Sequence, residues 1–329
     1  MKKIALFCGA LIVSATLLMV SCGKTKEATV QKFFSVEHAT LVAENMPSAT
    51  LDEPIAVVMN HNVITGGSSA VTITAERMAK KILVGMKGQT GYYELVPNSN
   101  RGYVYSFIMM IDQNITLPEG ETAFSVQVAI VDENGDVSQI WESSVEVMVV
   151  GMGALQVSLS FDNAKDVDLH LIEAEYTDEW GAPVSFYDRH IYYGNHWSAA
   201  GGWLDLDSNA GCSIDDINNE NITYSAEEAF VAPGTYKVYV DLWENCDDEI
   251  PTNYVVTVFY DGRLIASRSG IFDVGAPSTF NPIDEEYVAE HDPFLSFTIA
   301  GKGEYRANAF EPVPMTESAI EKEANAAHK

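Results

Sequence analysis

Basic residues are scarce in this chain. Its 329 residues hold 19 Lys and Arg against 47 Asp and Glu, a formal charge of −28. A surface this acidic repels nucleic acid and anionic headgroups, so no nucleic-acid partner is expected. Most of the carboxylates need no explanation beyond solubility, although they also supply oxygens for hard cations such as calcium. Cysteine is rare as well, with four in all, and none has zinc-site spacing. No nucleophile elbow, phosphate loop, zincin helix or Cys-His signature occurs. Acidic pairs suited to glycoside hydrolysis are easy to find among so many acids, and they carry little weight. The expectation is a non-enzyme.

What is present begins at the N-terminus. Lys2 and Lys3 precede an apolar run, Ile4–Val20, of 17 residues that ends in small residues. This is the layout of an export signal, at the short end for a membrane span. Leu18-Met19-Val20-Ser21-Cys22 resembles the lipobox of bacterial lipoproteins. Met19 departs from the preferred Leu, and Ser21 suits the position before the cut. The resemblance implies cleavage after residue 21 and a lipid on Cys22, the membrane partner of the protein. A plain signal peptide or an uncleaved anchor is the alternative. Gly23 stands where an inner-membrane retention Asp would be, so the outer membrane is expected, facing the periplasm or the cell surface. Residues 22–27 form a tether.

The rest reads as an all-β chain of two β-sandwich, immunoglobulin-like domains in tandem, 28–150 and 151–300, followed by a polar tail at 301–329. In the first, strands are expected at Ala70–Thr74, Ile82–Met86, Tyr103–Ile111, Thr122–Asp132 and Ser143–Val150, with a hairpin turn at Asn134-Gly135. A short helix is expected near Ala75–Lys81. The run Val131-Asp132-Glu133-Asn134-Gly135-Asp136-Val137-Ser138-Gln139 resembles the last hairpin of immunoglobulin-like modules in exported Bacteroidota proteins. Gly151-Met152-Gly153 reads as a hinge. Beyond it, period-two alternation marks Leu155–Phe161, Val167–Leu171, Thr235–Trp243 and Tyr254–Tyr260. The Asp261-Gly262 turn returns the chain through Arg263–Gly270, and Phe294–Ile299 is the last candidate. Met315–Lys329 reads as a frayed helix or disordered tail.

The densest signal lies in the second domain. Asp166-Val167-Asp168-Leu169-His170-Leu171 is followed by Ile191-Tyr192-Tyr193-Gly194-Asn195, Gly201-Gly202-Trp203-Leu204-Asp205-Leu206-Asp207, Glu220-Asn221-Ile222 and Pro233-Gly234-Thr235-Tyr236. These five ordered blocks resemble the YfaP-like family, an exported β-sandwich without established chemistry, over about 155–260. The resemblance implies a fold and no function. Gly211-Cys212-Ser213 and an insertion through Asn219 replace that family's Gly-Tyr-Gly-Pro-Glu.

On a strand, Asp166, Asp168 and His170 share one face, as do Asp205 and Asp207. Asp205, Asp207 and Asn209 have the one-three-five oxygen spacing of a calcium loop. Gly211 falls one place late for the helix-loop-helix type, and Asp216 stands where its bidentate Glu would be. Asp166, Asp168, Asp205, Asp207 and Asn209 are therefore the candidate calcium ligands. The alternative is that they cap turns. His170 reads as structural. Trp197, Trp203 and Tyr193 are the candidate ligand-binding aromatics, for a glycan or an envelope protein. Tyr236, Tyr239 and Tyr254 read as core. Cys212 and Cys246 are left to form one disulfide in an oxidising compartment; two free thiols or a metal pair are the alternatives, without supporting ligand spacing. The expected role is a non-catalytic envelope binding module. A structural or assembly factor, or a glycan hydrolase, are the alternatives.

Overall fold

The computed structural model describes residues 28–97, 103–227, 229–246, 249–278 and 283–300; the signal, Cys22, the tether and the tail lie outside them. Ten strands make the first sandwich: β1 Phe34–Val36, β2 Thr40–Val42, β3 Ala56–Val58, β4 Asn62–Ile64, β5 Ser68–Thr74, β6 Lys81–Met86, β7 Tyr92–Leu95, β8 Val104–Ile111, β9 Ala123–Val131 and β10 Trp141–Met148. They form a four-stranded sheet, β1-β8-β5-β3, and a six-stranded one, β2-β7-β6-β9-β10-β4. Alternation decides which side faces in: Val71 and Ile73, Tyr105, Phe107 and Met109, and Phe124, Val126 and Val128 meet between the sheets. Each such side chain contributes roughly 1.5–3 kcal/mol by leaving water.

The second sandwich has nine strands: β11 Leu155–Phe161, β12 Asp166–Ile172, β13 His190–Ile191, β14 Trp203–Leu206, β15 Asn219–Thr223, β16 Gly234–Glu244, β17 Thr252–Tyr260, β18 Arg263–Phe272 and β19 Leu295–Ile299. Two short helices, α1 Phe186–Arg189 and α2 Glu285–Glu290, are capped by Ser185 and Asp284. The sheets are β14-β15-β11-β17-β18 and β13-β12-β16-β19. Leu155, Val157 and Leu159 from one sheet face Val167, Leu169, Tyr236 and Val238 from the other. The described residues are nearly all β, two β-sandwiches in succession.

Two expectations are corrected. No helix forms at Ala75–Lys81. The amides of Ala75, Ala79 and Lys80 donate instead to Tyr103 O, the Tyr105 hydroxyl and Val131 O, so tertiary partners override local propensity. Nor is Gly151–Gly153 a free hinge. Gly151 N donates to Asp205 Oδ2 at 2.7 Å, and a Cβ on Gly153 would stand 1.9 Å from Tyr224 O.

β11 is buried on both faces. Its polar face, Gln156, Ser158 and Ser160, is covered by the first sandwich. Gln156 Nε2 donates to Thr65 O at 2.8 Å and Ser158 Oγ to Gly66 O at 3.2 Å. Asn60 Nδ2 donates to Ile217 O at 3.0 Å, and Asn219 Nδ2 to Asn62 O at 2.9 Å. The joint is therefore polar and hydrogen-bonded. Gly66 permits it, because its φ is +72° and a Cβ there would lie 2.3 Å from Gln156 Oε1.

Candidate functional site: a buried acidic cluster and a stacked tryptophan pair

In β12, Val167, Leu169 and Leu171 point into the core, so Asp166, Asp168 and His170 occupy the opposite face. β13 pairs only with Leu171 and Ile172, which leaves the first part of β12 as an open edge. An unpaired strand amide needs an acceptor. Glu220 supplies it from β15 of the other sheet: Leu169 N donates to Glu220 Oε2 at 2.6 Å. Glu220 shares a face with Ile222 of the core, while Asn219 and Asn221 turn outward to the joint.

Asp168 and Asp207 join Glu220 there, their carboxylate oxygens within 4.8 Å of one another. Asp168, His170 and Asp241 make a second such group on the flank. Asp166 lies beside them, with Oδ2 accepting Gly211 N at 2.8 Å. Burial in the company of other carboxylates pushes Asp166, Asp168, Asp207 and Glu220 upward. Asp166 rises to about 6 and Asp168 to about 8; for both, burial is the first cause. Glu220 stands well above its ordinary range and Asp207 is raised, again mainly by burial.

Asp205 and Asn209 are not part of the cluster. A bulge between Leu204 and Leu206 breaks the shared face expected of Asp205 and Asp207. Asp205 turns to Gly151 N and to Asn221 Nδ2, at 2.7 and 2.6 Å. Asn209 sits in a left-handed turn, and its amide is committed to the loop: Nδ2 donates to Lys165 O and Asn218 Oδ1, and Oδ1 accepts Asp215 N. Two members were missed. Glu220 was findable, since alternation with Ile222 turns it inward. Asp241 was findable by the same rule, since it alternates with the core residue Leu242.

His170, expected to bond a neighbouring carboxylate, meets another histidine. Its Nδ1 is 2.9 Å from His190 Nε2, and burial lowers both imidazoles, His190 to about 4, so the pair is neutral. Tyr192 stacks on His190 at 4.2 Å and on His170 at 5.2 Å. Tyr193 packs edge-on against Trp243 at 5.0 Å, and the Asp168 charge helps burial push its phenol up to about 12. It therefore stands by the acidic cluster and Trp243 rather than by Trp197 and Trp203. Trp197 and Trp203 lie ring on ring, 4.7 Å apart and 4° from parallel, with Trp197 55% exposed. Tyr236 is core as expected, stacked on Phe297.

Cys212 and Cys246 form a disulfide with Cα atoms 5.4 Å apart. It fastens the short 3-10 turn Ala210–Cys212 to the end of β16. The amides of that turn are the ones that hold Asp166.

No family model matches the chain, and no curated protein does. Among solved structures, similarity is found to the D1-D2 domains of Rst, at TM-score 0.20 and 8% identity, covering 68% of this chain and 99% of that one. The fibronectin(III)-like modules of Clostridium thermocellum CbhA follow at TM-score 0.19 and 11% identity, with coverage of 67% and 94%. The D00-D0 domain of intimin gives TM-score 0.18 and 8% identity, with coverage of 66% and 99%.

Proposed function

We propose that this chain is a non-catalytic envelope lipoprotein, held to the outer membrane through Cys22, whose second sandwich presents a glycan-binding face at Trp197 and Trp203. The stacked pair carries this reading. Trp203 stacks parallel on the Trp197 ring, and Trp197 remains 55% exposed. A preordered, exposed indole face suits the apolar face of a sugar ring and loses little side-chain entropy on binding. The acids nearest to a catalytic arrangement are buried: Asp168 is 3% and Glu220 1% exposed. A glycosidase needs its two carboxylates on either side of a bound sugar, so their burial favours a binder over a hydrolase. The export signal, the lipobox resemblance and a disulfide suited to an oxidising compartment support the envelope location. The YfaP-like resemblance of residues 155–260 belongs to the same reading and rests on sequence blocks alone.

A glycan array probed with the purified protein tests the binding. Trp197→Ala is expected to weaken capture by roughly tenfold or more, about 1.4 kcal/mol. Equal capture by the variant would remove the pair from the site. Labelling with palmitate tests the anchor, and Cys22→Ser should abolish incorporation. The hydrogen-bonded joint favours a second reading, a stiff structural arm of the envelope. An array on which no glycan is captured would leave that reading in place of the first.

A further inference from the structure

A carboxylate removed from water is costly unless a donor, a proton or a cation compensates it. Three such groups converge at the open edge of β12, with oxygens of Asp168, Asp207 and Glu220 within 4.8 Å of one another. Glu220 Oε2 is occupied by Leu169 N–H. Its Oε1 and Asp207 Oδ1 are buried with no donor from the rest of the fold, the two carboxyls facing each other, and Asp166 Oδ1 alongside is buried without a partner. Glu220 and Asp166 are each 1% exposed. The orphaned oxygens, more than the number of acids, call for a ligand.

We propose that Asp168, Asp207 and Glu220 form the site of one hard divalent cation, calcium, with Asp166 as a neighbouring fourth carboxylate. The donor set is oxygen only, which selects a hard cation over zinc or copper. The three residues come from β12, from the segment after β14 and from β15, so the ligands are spread over separate segments and not along one loop. Calcium tolerates such irregular geometry, whereas magnesium demands a near-ideal octahedron. The site joins the two sheets: Asp168 belongs to one, and Glu220 to the other. Aromatic rings stand close by, since Tyr193 feels the charge of Asp168 and packs on Trp243.

The test uses the purified full chain, stripped with chelator and titrated calorimetrically with calcium chloride and, separately, magnesium chloride. One calcium per chain is expected, with a higher melting temperature in calcium and at least roughly tenfold weaker response to magnesium. Terbium should bind in its place and luminesce through the neighbouring rings, and calcium should quench that signal. Glu220→Gln and Asp207→Asn should abolish the titration. In chelator both variants should melt no lower than the parent, because repulsion is relieved, and this reports that they are folded. If Glu220→Gln does not fold, Asp207→Asn decides alone. No heat and no melting shift in the parent at millimolar calcium would overturn the site. Calcium binding retained in the folded variants would overturn the choice of residues, and preference for magnesium would overturn the choice of cation.

Discussion

Glu173 is a single residue whose surroundings give the fold a pH dependence. It is 2% exposed, its Oε1 accepts the hydroxyls of Ser198 and Tyr224, and the Tyr176 hydroxyl stands beside the same carboxyl. Burial, the largest cause, pushes it up to about 7, against the hydrogen bonds that favour its charge. A carboxyl raised in the folded state stabilises fully below its unfolded value, near 4.5, and that contribution is lost as pH rises through 7. Between pH values below and above this window, the parent should lose about 2–3 kcal/mol relative to Glu173→Gln in urea melts. Parallel curves for the two proteins would refute the assignment. The sequence gives no sign of this group, because Glu173 follows the alternating run and its hydroxyl partners come from distant loops. The same reason hid the fate of Asp205, since a bulge cannot be read from spacing.

At the scale of elements, the long hairpins were legible and the short edges were not. β9 and β10 with the Asn134-Gly135 turn, and β17 and β18 with Asp261-Gly262, carry enough alternation and turn chemistry to be read directly. β1 to β4 are three residues each and β13 is two, too short for a period to show. Yet the length of β13 is what opens the edge of β12 and admits Glu220, so the decisive element of the acidic cluster is the least readable one. The segment between β14 and β15 depends on its disulfide, which closes a separation of 34 residues. In the chain-entropy account, losing it costs roughly 3–4 kcal/mol. Paired Cys212→Ser and Cys246→Ser should lower the melting temperature. They should also leave the Gly211 amide, the donor to Asp166, exchanging faster with solvent.

For the whole molecule, the joint sets how the two sandwiches behave together. Gln156 lies at its centre, accepting from Gln113 Nε2 and donating to Thr65 O and Asn221 Oδ1. Gln156→Ala would leave those partners buried and unpaired, at about 1–3 kcal/mol. The parent should unfold in a single calorimetric transition, and the variant should resolve into two. Coincident single transitions in both would mean that the joint does not couple the halves. That the chain would be two sandwiches could be read from composition and turns. How they meet could not, because Gln156, Ser158 and Ser160 alternate with core residues in the same pattern as a solvent-exposed face.

Because that seam is made of amides, hydroxyls and backbone carbonyls, each half remains wettable once the two are parted. A pull that separates the two sandwiches would therefore part the seam before either core unravels. Neither separated face would be sticky, so the halves could close again when the load is released. Polar matching across the joint would let it act as a reversible mechanical fuse.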